Sequence, residues 1–189
     1  MPNLPISQLP EITTGLTANA EFAVSQGGTT YKVKSGYLSS GNLYGVFIDT
    51  ADQPLAENVA TVWTANTTLE SYGVQLNNNS EFTVLSAGTY NFQFSAQANA
   101  DGNNERAFIW FRLNGDNIPD SATQYSFADN NYFAVLAWNF VITMAAGDYL
   151  EFVWASSTGD AITMQAIPSQ SSPVIIPSVP SLIVTVTQV

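Results

Sequence analysis

The chain has neither cysteine nor histidine among its 189 residues. Without cysteine it forms no disulfide, so nothing in the sequence argues for an oxidising compartment or against cytosolic synthesis. Without histidine it cannot hold a Ser/His/Asp triad, a Cys/His dyad or a histidine-containing zinc site. These absences leave carboxylate chemistry as the route open to an enzyme.

Basic side chains are also scarce. Four lysines and arginines stand against fifteen acidic residues, which gives a net charge of −11. The basic residues are Lys32, Lys34, Arg106 and Arg112. They form no patch able to neutralise several phosphates, so we expect no nucleic-acid partner and no attraction to an anionic membrane surface.

Long hydrophobic segments are missing as well. The longest apolar run, residues 133–144, is interrupted by Asn139 and is too short to span a bilayer. No basic stretch leads into an apolar segment after Met1, so we expect no secretory signal. The expectation is a soluble chain without membrane insertion.

The residues that are present favour β-structure. Hydrophobic residues make up 46% of the chain and aromatic residues 12%, while charged residues make up only 10%. Low charge with many Ser, Thr, Asn and Gln residues is typical of strands and short loops rather than long amphipathic helices. The length suits one sizeable core with an appendage.

Alternating polar and apolar residues predict strands from residue 44 onward. The clearest is 89–98, where Tyr90, Phe92 and Phe94 share one face. The other predicted strands are 44–50, 59–65, 81–85, 106–113, 132–144, 149–156 and 182–189. Roughly eight short strands separated by turns predict a sandwich or barrel over residues 44–189.

The predicted strand 132–144 is apolar on both faces. One face carries Leu136, Trp138 and Phe140, and the other carries Phe133 and Val135. Because a two-layer sandwich buries only one face of each sheet, the second face needs a cover. The proline-rich stretch 168–180, the N-terminal arm and a neighbouring subunit are the three options. We favour a subunit, because Phe108 and Trp110 also lie opposite the apolar side of strand 106–113.

Residues 1–43 differ from the rest of the chain. Three early prolines predict an extended arm, and the sequence Gln26-Gly27-Gly28 between two strand-like runs predicts a small hairpin. This unit is too small to bury a core of its own. We interpret it as a docking segment, with packing against its own chain as the alternative.

Two motifs resemble the tumour necrosis factor and complement globular-head superfamily. The pattern Phe-x-Val-x-x-x-Gly-x-Tyr-x-Phe begins at Phe82, and Gly147-Asp148-Tyr149-Leu150 resembles the turn before the last strands of that family. The resemblance implies a jelly-roll sandwich, a compact homotrimer and aromatic residues near the threefold axis. The predicted trimer interface consists of Tyr90, Phe108, Trp110, Phe133, Val135 and Trp138.

The N-terminal segment resembles the leader of fibre and decoration proteins of tailed phages and large DNA viruses. The resemblance is carried by an Ile-Ser-x-Leu-Pro start at Ile6 and a Gln-Gly-Gly-x-Thr-x-Lys-Val hairpin at Gln26. It implies docking on a capsid or tail protein of the same particle. The residues predicted to dock are Ile6, Leu9, Pro10, Gly27, Gly28 and Tyr31.

Candidate catalytic and ligand-binding residues are weak by comparison. Acidic pairs, Asp101 with Glu105 and Asp116 with Asp120, have the residue types of a glycosidase, but turn chemistry explains them without catalysis. The same loops, with Asp129, offer oxygen ligands for calcium without EF-hand spacing. Exposed Trp side chains also suit a sugar, although alternating tryptophans are more often core or interface residues. We predict no catalytic residue, metal or cofactor.

The predicted function is a non-enzymatic structural protein of the virion surface. Head fibre, capsid decoration and short tail fibre are all compatible with a homotrimeric jelly roll docked by its N-terminal segment. The alternative is a knob that binds a host receptor or surface glycan. A secreted bacterial adhesion domain is a third class, which would need an export route that the sequence does not show.

Overall fold

The computed structural model describes residues 21–26, 28–34, 43–129, 131–156 and 161–189. The chain divides into two units, Met1–Gly41 and Asn42–Val189. In the described residues no helix has the length and apolar character needed to cross a membrane.

The first unit contains the hairpin that the sequence predicts. Strand β1 (Glu21–Gln26) pairs antiparallel with β2 (Thr29–Lys34), and Gln26 lies opposite Thr29. Gly28 in the connecting turn has a φ of 80°, in the left-handed region that glycine adopts without steric cost.

The second unit consists of two antiparallel β-sheets packed as a sandwich. Sheet I contains β3 (Tyr44–Asp49), β4 (Gln53–Pro54), β6 (Thr67–Tyr72), β9 (Gly88–Ala100), β13 (Tyr132–Met144), β15 (Ile162–Met164) and β16 (Leu182–Gln188). Sheet II contains β5 (Thr61–Val62), β7 (Val74–Asn77), β8 (Glu81–Val84), β10 (Arg106–Leu113), β11 (Asp116–Asn117), β12 (Thr123–Ser126) and β14 (Tyr149–Ser156). The all-β sandwich that the alternation predicts is therefore present.

Strand β13 lies at one edge of sheet I. It pairs with β9 over its whole length, from Tyr132 opposite Ala100 to Met144 opposite Gly88. The other side of β9 is taken by β16 and β15. Among the described strands, β13 pairs with β9 alone, so one side of this long strand is open.

The core between the sheets is aromatic. The ring of Phe152 in sheet II lies 5.4 Å from Phe94 in sheet I and 5.6 Å from Trp63, centroid to centroid. Phe82 and Phe111 approach the same ring at 5.5 and 5.2 Å. Because fully buried aromatic rings contribute roughly 3–5 kcal/mol each against truncation to alanine, this cluster holds the two sheets together.

The two family-like motifs form the turns of the sandwich. The hydroxyl of Tyr90 donates a 2.7 Å hydrogen bond to the carbonyl of Ser86, and burial raises its pKa. The Asp148 carboxylate accepts from the Asn114 side chain at 2.9 Å and from the Ala145 N–H at 2.8 Å. These donors hold the pKa of Asp148 below its ordinary value. Both motifs therefore fix connections between strands.

Candidate functional site

The outward side of β13 is the most apolar exposed strand surface of the molecule as described. Phe133, Val135 and Val141 are 61%, 59% and 52% exposed, whereas Leu136 and Met144 point inward and are buried. We call Phe133, Val135, Ala137 and Val141 the apolar strip. Since the strip is exposed, the proline-rich stretch does not cover it within one chain.

The strip continues into an uncharged surface across sheet I. The strand register places Ala137 beside Ser95, Ser95 beside Ile183, and Ile183 beside Ile48. We call the outward positions of β13, β9, β16 and β3 the uncharged face. Its other members are Thr143, Asn139, Thr89, Asn91, Gln93, Gln97, Asn99, Thr185, Thr187, Tyr44 and Val46.

Some polar side chains of the uncharged face form hydrogen bonds with each other. The Asn139 side-chain amide donates to Asn91 Oδ1 at 3.1 Å, and the hydroxyls of Thr89 and Thr143 lie 3.1 Å apart. Polar groups that are already hydrogen-bonded cost less to remove from water than unpaired ones. The uncharged face is therefore suited to burial against another protein surface.

The lack of charge on this face contrasts with the rest of the unit. Residues 42–189 contain thirteen acidic side chains and two arginines, a net charge of −11. None of these fifteen charges lies on the outward positions of β13, β9, β16 or β3; the nearest in register is Glu70, opposite Val46 at the far edge strand β6. The charge is thus concentrated elsewhere on the sandwich.

The outward side of sheet II carries both aromatic and charged residues. Phe108, Trp110 and Arg112 are half-buried there, and Arg112 lies opposite Glu151 of β14. The Trp110 indole N–H and the Arg112 Nε–H both donate to Asn117 Oδ1, at 2.8 and 3.0 Å. Burial raises the pKa of Glu151, against the lowering effect of Arg112.

The predicted trimer-interface residues do not form one surface. Only Phe133 and Val135 lie on the apolar strip, while Phe108 and Trp110 lie on the opposite side of the sandwich. Two assignments need further correction. Tyr90 is fully buried in the core of its own chain, and Trp138 points inward, with its ring 4.4 Å from that of Phe94. Strand alternation defines which residues share a face, but it does not say to which sheet a strand belongs.

The predicted docking residues fall mostly on parts of the chain that the structure leaves out. Ile6, Leu9, Pro10 and Gly27 lie outside the described residues. Gly28 and Tyr31 belong to the β1–β2 hairpin, where both are exposed and Tyr31 is 52% exposed. Their docking role stays a prediction.

One exposed feature was not identified from the sequence as a site. Residues 165–181, which we call the finger, leave sheet I after β15 and return to begin β16. Val174 and Ile175 near its tip are 62% and 83% exposed. From the sequence, the proline-rich stretch 168–180 is predicted only as one of three covers for the second apolar face, although consecutive aliphatic residues between two prolines are a visible signal.

As far as the structure describes them, the acidic clusters show no metal-binding arrangement. In the ranges that the structure describes, no three Asp, Glu, His or Cys side chains come together to hold an ion. The buried Asp49 carboxylate accepts hydrogen bonds from the Ala51 N–H, the Thr64 hydroxyl and the Asn66 amide, at 2.8, 3.0 and 2.9 Å. It joins neighbouring segments of the sandwich and has a structural role.

Comparison with known proteins identifies the fold. Neither a protein-family model nor a curated protein matches the sequence. Among solved structures, the globular domain of the zebrafish complement 1qA protein is similar, with a TM-score of 0.50 and 12% sequence identity. The match covers 78% of this chain and 97% of that domain. The predicted jelly-roll β-sandwich of the complement globular-head type is confirmed at the level of fold.

Proposed function

We propose that this chain is a non-enzymatic assembly module that forms a homotrimer through the uncharged face. The observation that carries the proposal is the exposed apolar strip on an edge strand, continuous with a sheet face free of charge. A long edge strand without charge or proline promotes uncontrolled association unless it is covered. A second copy of the chain provides such a cover.

Electrostatics favours this face over the others. Each sandwich unit carries a charge of −11, so copies that meet through acidic surfaces repel each other. The uncharged face allows the closest approach with no charge to desolvate. The number of copies is proposed from the resemblance to the tumour necrosis factor and complement superfamily. Because the globular heads of that superfamily are trimers, we favour three copies over two.

The test is the mass of the full chain in solution, measured by light scattering at micromolar concentration. A trimer of the 20.3 kDa chain has a mass of about 61 kDa. Val135→Asp, on the strip, should shift the mass to that of the monomer, because a buried carboxylate without a partner costs several kcal/mol. Val59→Asp is the matched control, since Val59 is 52% exposed and lies outside sheet I. A wild-type chain that is monomeric would overturn the proposal.

The finer proposal is a location on the virion surface. It is supported by the resemblance of the N-terminal segment to phage and large-virus leaders and by the exposed hairpin that carries Tyr31. Docking through residues 1–43 would present the jelly roll outward on a capsid or tail. An antibody against the chain should then label intact particles in electron micrographs. Recovery of the chain only in particle-free fractions would contradict this location.

A second candidate function is binding of a host glycan or receptor. It is favoured by Trp110, whose indole ring is half-buried on sheet II and held in orientation by the bond to Asn117. Flat, fixed aromatic rings stack on sugar rings. Glycan-array binding that is lost in Trp110→Ala and kept in Val59→Ala would support this function, and binding to no glycan would oppose it.

A further inference from the structure

We propose that the finger is a clasp between copies, with its apolar tip packed on the Phe133 and Val135 end of the strip of the neighbouring copy. The inference rests on the proposed trimer and names a contact within it. It is drawn from the construction of the finger, its apolar tip and its place on sheet I.

The two arms of the finger are joined by pairs of backbone hydrogen bonds. Ile167 and Val179 exchange two backbone hydrogen bonds of 2.9 and 2.8 Å, and Gln170 and Ile176 exchange two more of 2.9 and 2.8 Å. Four prolines fix φ along its length and reduce the entropy lost when the segment is immobilised. A pre-organised segment of this kind is suited to contact another surface.

The tip of the finger is apolar and exposed. Val174, Ile175 and Ile176 are 62%, 83% and 45% exposed. No charged residue occurs anywhere between Ala161 and Val189. The tip is therefore an exposed aliphatic cluster, and its removal from water is favourable.

The root of the finger lies beside one end of the strip. The Gln165 N–H donates to the Gln97 carbonyl at 2.7 Å, and the Gln97 N–H donates to the Ser181 carbonyl at 2.8 Å. Gln97 is also the register partner of Val135 on β13. Both segments of the finger are thus separated from the strip by the single strand β9.

The Phe133 and Val135 end of the apolar strip contains a groove that is uncharged, as the finger tip is. Gln97, Ala98, Phe133, Ala134 and Val135 line a shallow groove of about 90 Å³ without a charged side chain. Residues 168–173 span up to roughly 20 Å when extended, which is long enough to reach past one strand edge. The tip and the groove are both exposed in a single chain, so they do not cover each other there.

A second copy is the occupant that these observations favour. Its groove forms one end of the uncharged face that the proposed trimer buries, so the clasp continues that interface. In the clasp the finger tip of one copy contacts a different patch on the next copy, so the contact is heterologous. Heterologous contacts form a closed ring when the rotation between neighbouring copies closes on itself. Three such contacts would each join one copy to the next around the threefold axis.

Cysteine cross-linking tests the clasp, since the chain has no cysteine of its own. Ile175→Cys and Val135→Cys are made as separate full-length chains, mixed, allowed to exchange and oxidised. Disulfides form only where the two Cα atoms come within about 7 Å of each other. We expect the mixture to give a covalent dimer band on non-reducing gels that is several times stronger than that of either variant alone. The matched control mixes Ile175→Cys with Val59→Cys.

The outcomes separate the clasp from the trimer. Two results would overturn the clasp and leave the trimer intact, provided that the wild-type chain is a trimer. In the first, the mixture gives no stronger covalent-dimer band than the separate variants. In the second, the Ile175→Cys variant forms the covalent dimer by itself. A monomeric wild-type chain would instead overturn the trimer. As a second measurement, Ile175→Ser should weaken the trimer at least tenfold without lowering the melting temperature of the monomer, and an unchanged trimer would contradict the clasp.

Discussion

The two outward faces of the sandwich are built from the same alternation but differ in charge. The face of sheet I carries aliphatic, amide and hydroxyl side chains, and its polar groups bond to each other in the Asn139–Asn91 and Thr89–Thr143 pairs. The face of sheet II combines Phe108 and Trp110 with Arg112 and Glu151. Hydrophobic content alone therefore does not distinguish the two faces, whereas charge does.

The difference lies in the cost of removing each face from water. On sheet II, burial of Glu151 already raises its pKa in the single chain, so covering this face further would require desolvating a charge. On the uncharged face of sheet I only apolar, amide and hydroxyl groups need to be covered. The distribution of a few charges, rather than the area of apolar surface, distinguishes the proposed interface from the opposite face.

The largest effect is expected from adding a charge to the uncharged face. Gln93→Glu and Gln124→Glu are nearly isosteric changes at exposed strand positions, one outward on sheet I and one outward on sheet II. Gln93→Glu should weaken the trimer at least tenfold, about 1.4 kcal/mol or more, because it buries a carboxylate in each copy. Gln124→Glu should leave it unchanged. Sedimentation equilibrium measures both, and equal effects of the two variants would remove the distinction between the faces.

A smaller effect is expected from Tyr90→Phe. This variant tests whether a residue on the inward side of sheet I affects the stability of the chain without affecting the trimer. The change removes the hydrogen bond to the Ser86 carbonyl and should lower the free energy of unfolding by about 1 kcal/mol. Because Tyr90 is fully buried in its own chain, the trimer dissociation constant should not change. Denaturant unfolding measures the free energy of unfolding, and sedimentation measures the trimer dissociation constant. A weakened trimer without loss of monomer stability would show that Tyr90 belongs to the interface.

The smallest effect is expected from Glu151→Gln on sheet II. The raised pKa of Glu151 means that the folded state favours the protonated form. The carboxyl group therefore contributes stability below the ordinary glutamate pKa, and this contribution is lost as the pH rises through the raised value. Glu151→Gln should be slightly more stable than wild type at neutral pH, and the gain should vanish in acid. Melting temperatures across this pH range check the sign, and a destabilised variant at neutral pH would show that attraction to Arg112 dominates instead.

Much of the fold could be predicted because its strands alternate regularly. The predicted ranges 106–113, 132–144 and 149–156 match β10, β13 and β14 as the structure has them. Six short strands lie outside every predicted range: β4, β6, β7, β11, β12 and β15. Exposed edge strands such as β6 are polar along most of their length and carry little periodic signal. The two apolar faces of β13 were also identified correctly.

The candidate site could be predicted only in part. Alternation placed Tyr90 with Phe92 and Phe94, and the structure buries all three; the interface role of Tyr90 came from the family resemblance instead. Phe108 and Phe133 were grouped although they lie on opposite sides of the sandwich, because strand order depends on long-range pairing that local patterns do not contain. The aliphatic run at the tip of the finger is visible in the sequence, but its exposure is not, because a local pattern does not distinguish a buried run from an exposed one.

The most direct test of the interface is the reactivity of a single thiol placed in this cysteine-free chain. Val135→Cys and Val59→Cys place the thiol at positions 59% and 52% exposed in the single chain. If the uncharged face is the trimer interface, the Val135→Cys thiol reacts with a maleimide quickly at nanomolar concentration and many times more slowly at high micromolar concentration, while Val59→Cys reacts equally at both. Equal reactivity of the two thiols at every concentration, in a chain that is trimeric, would contradict the account.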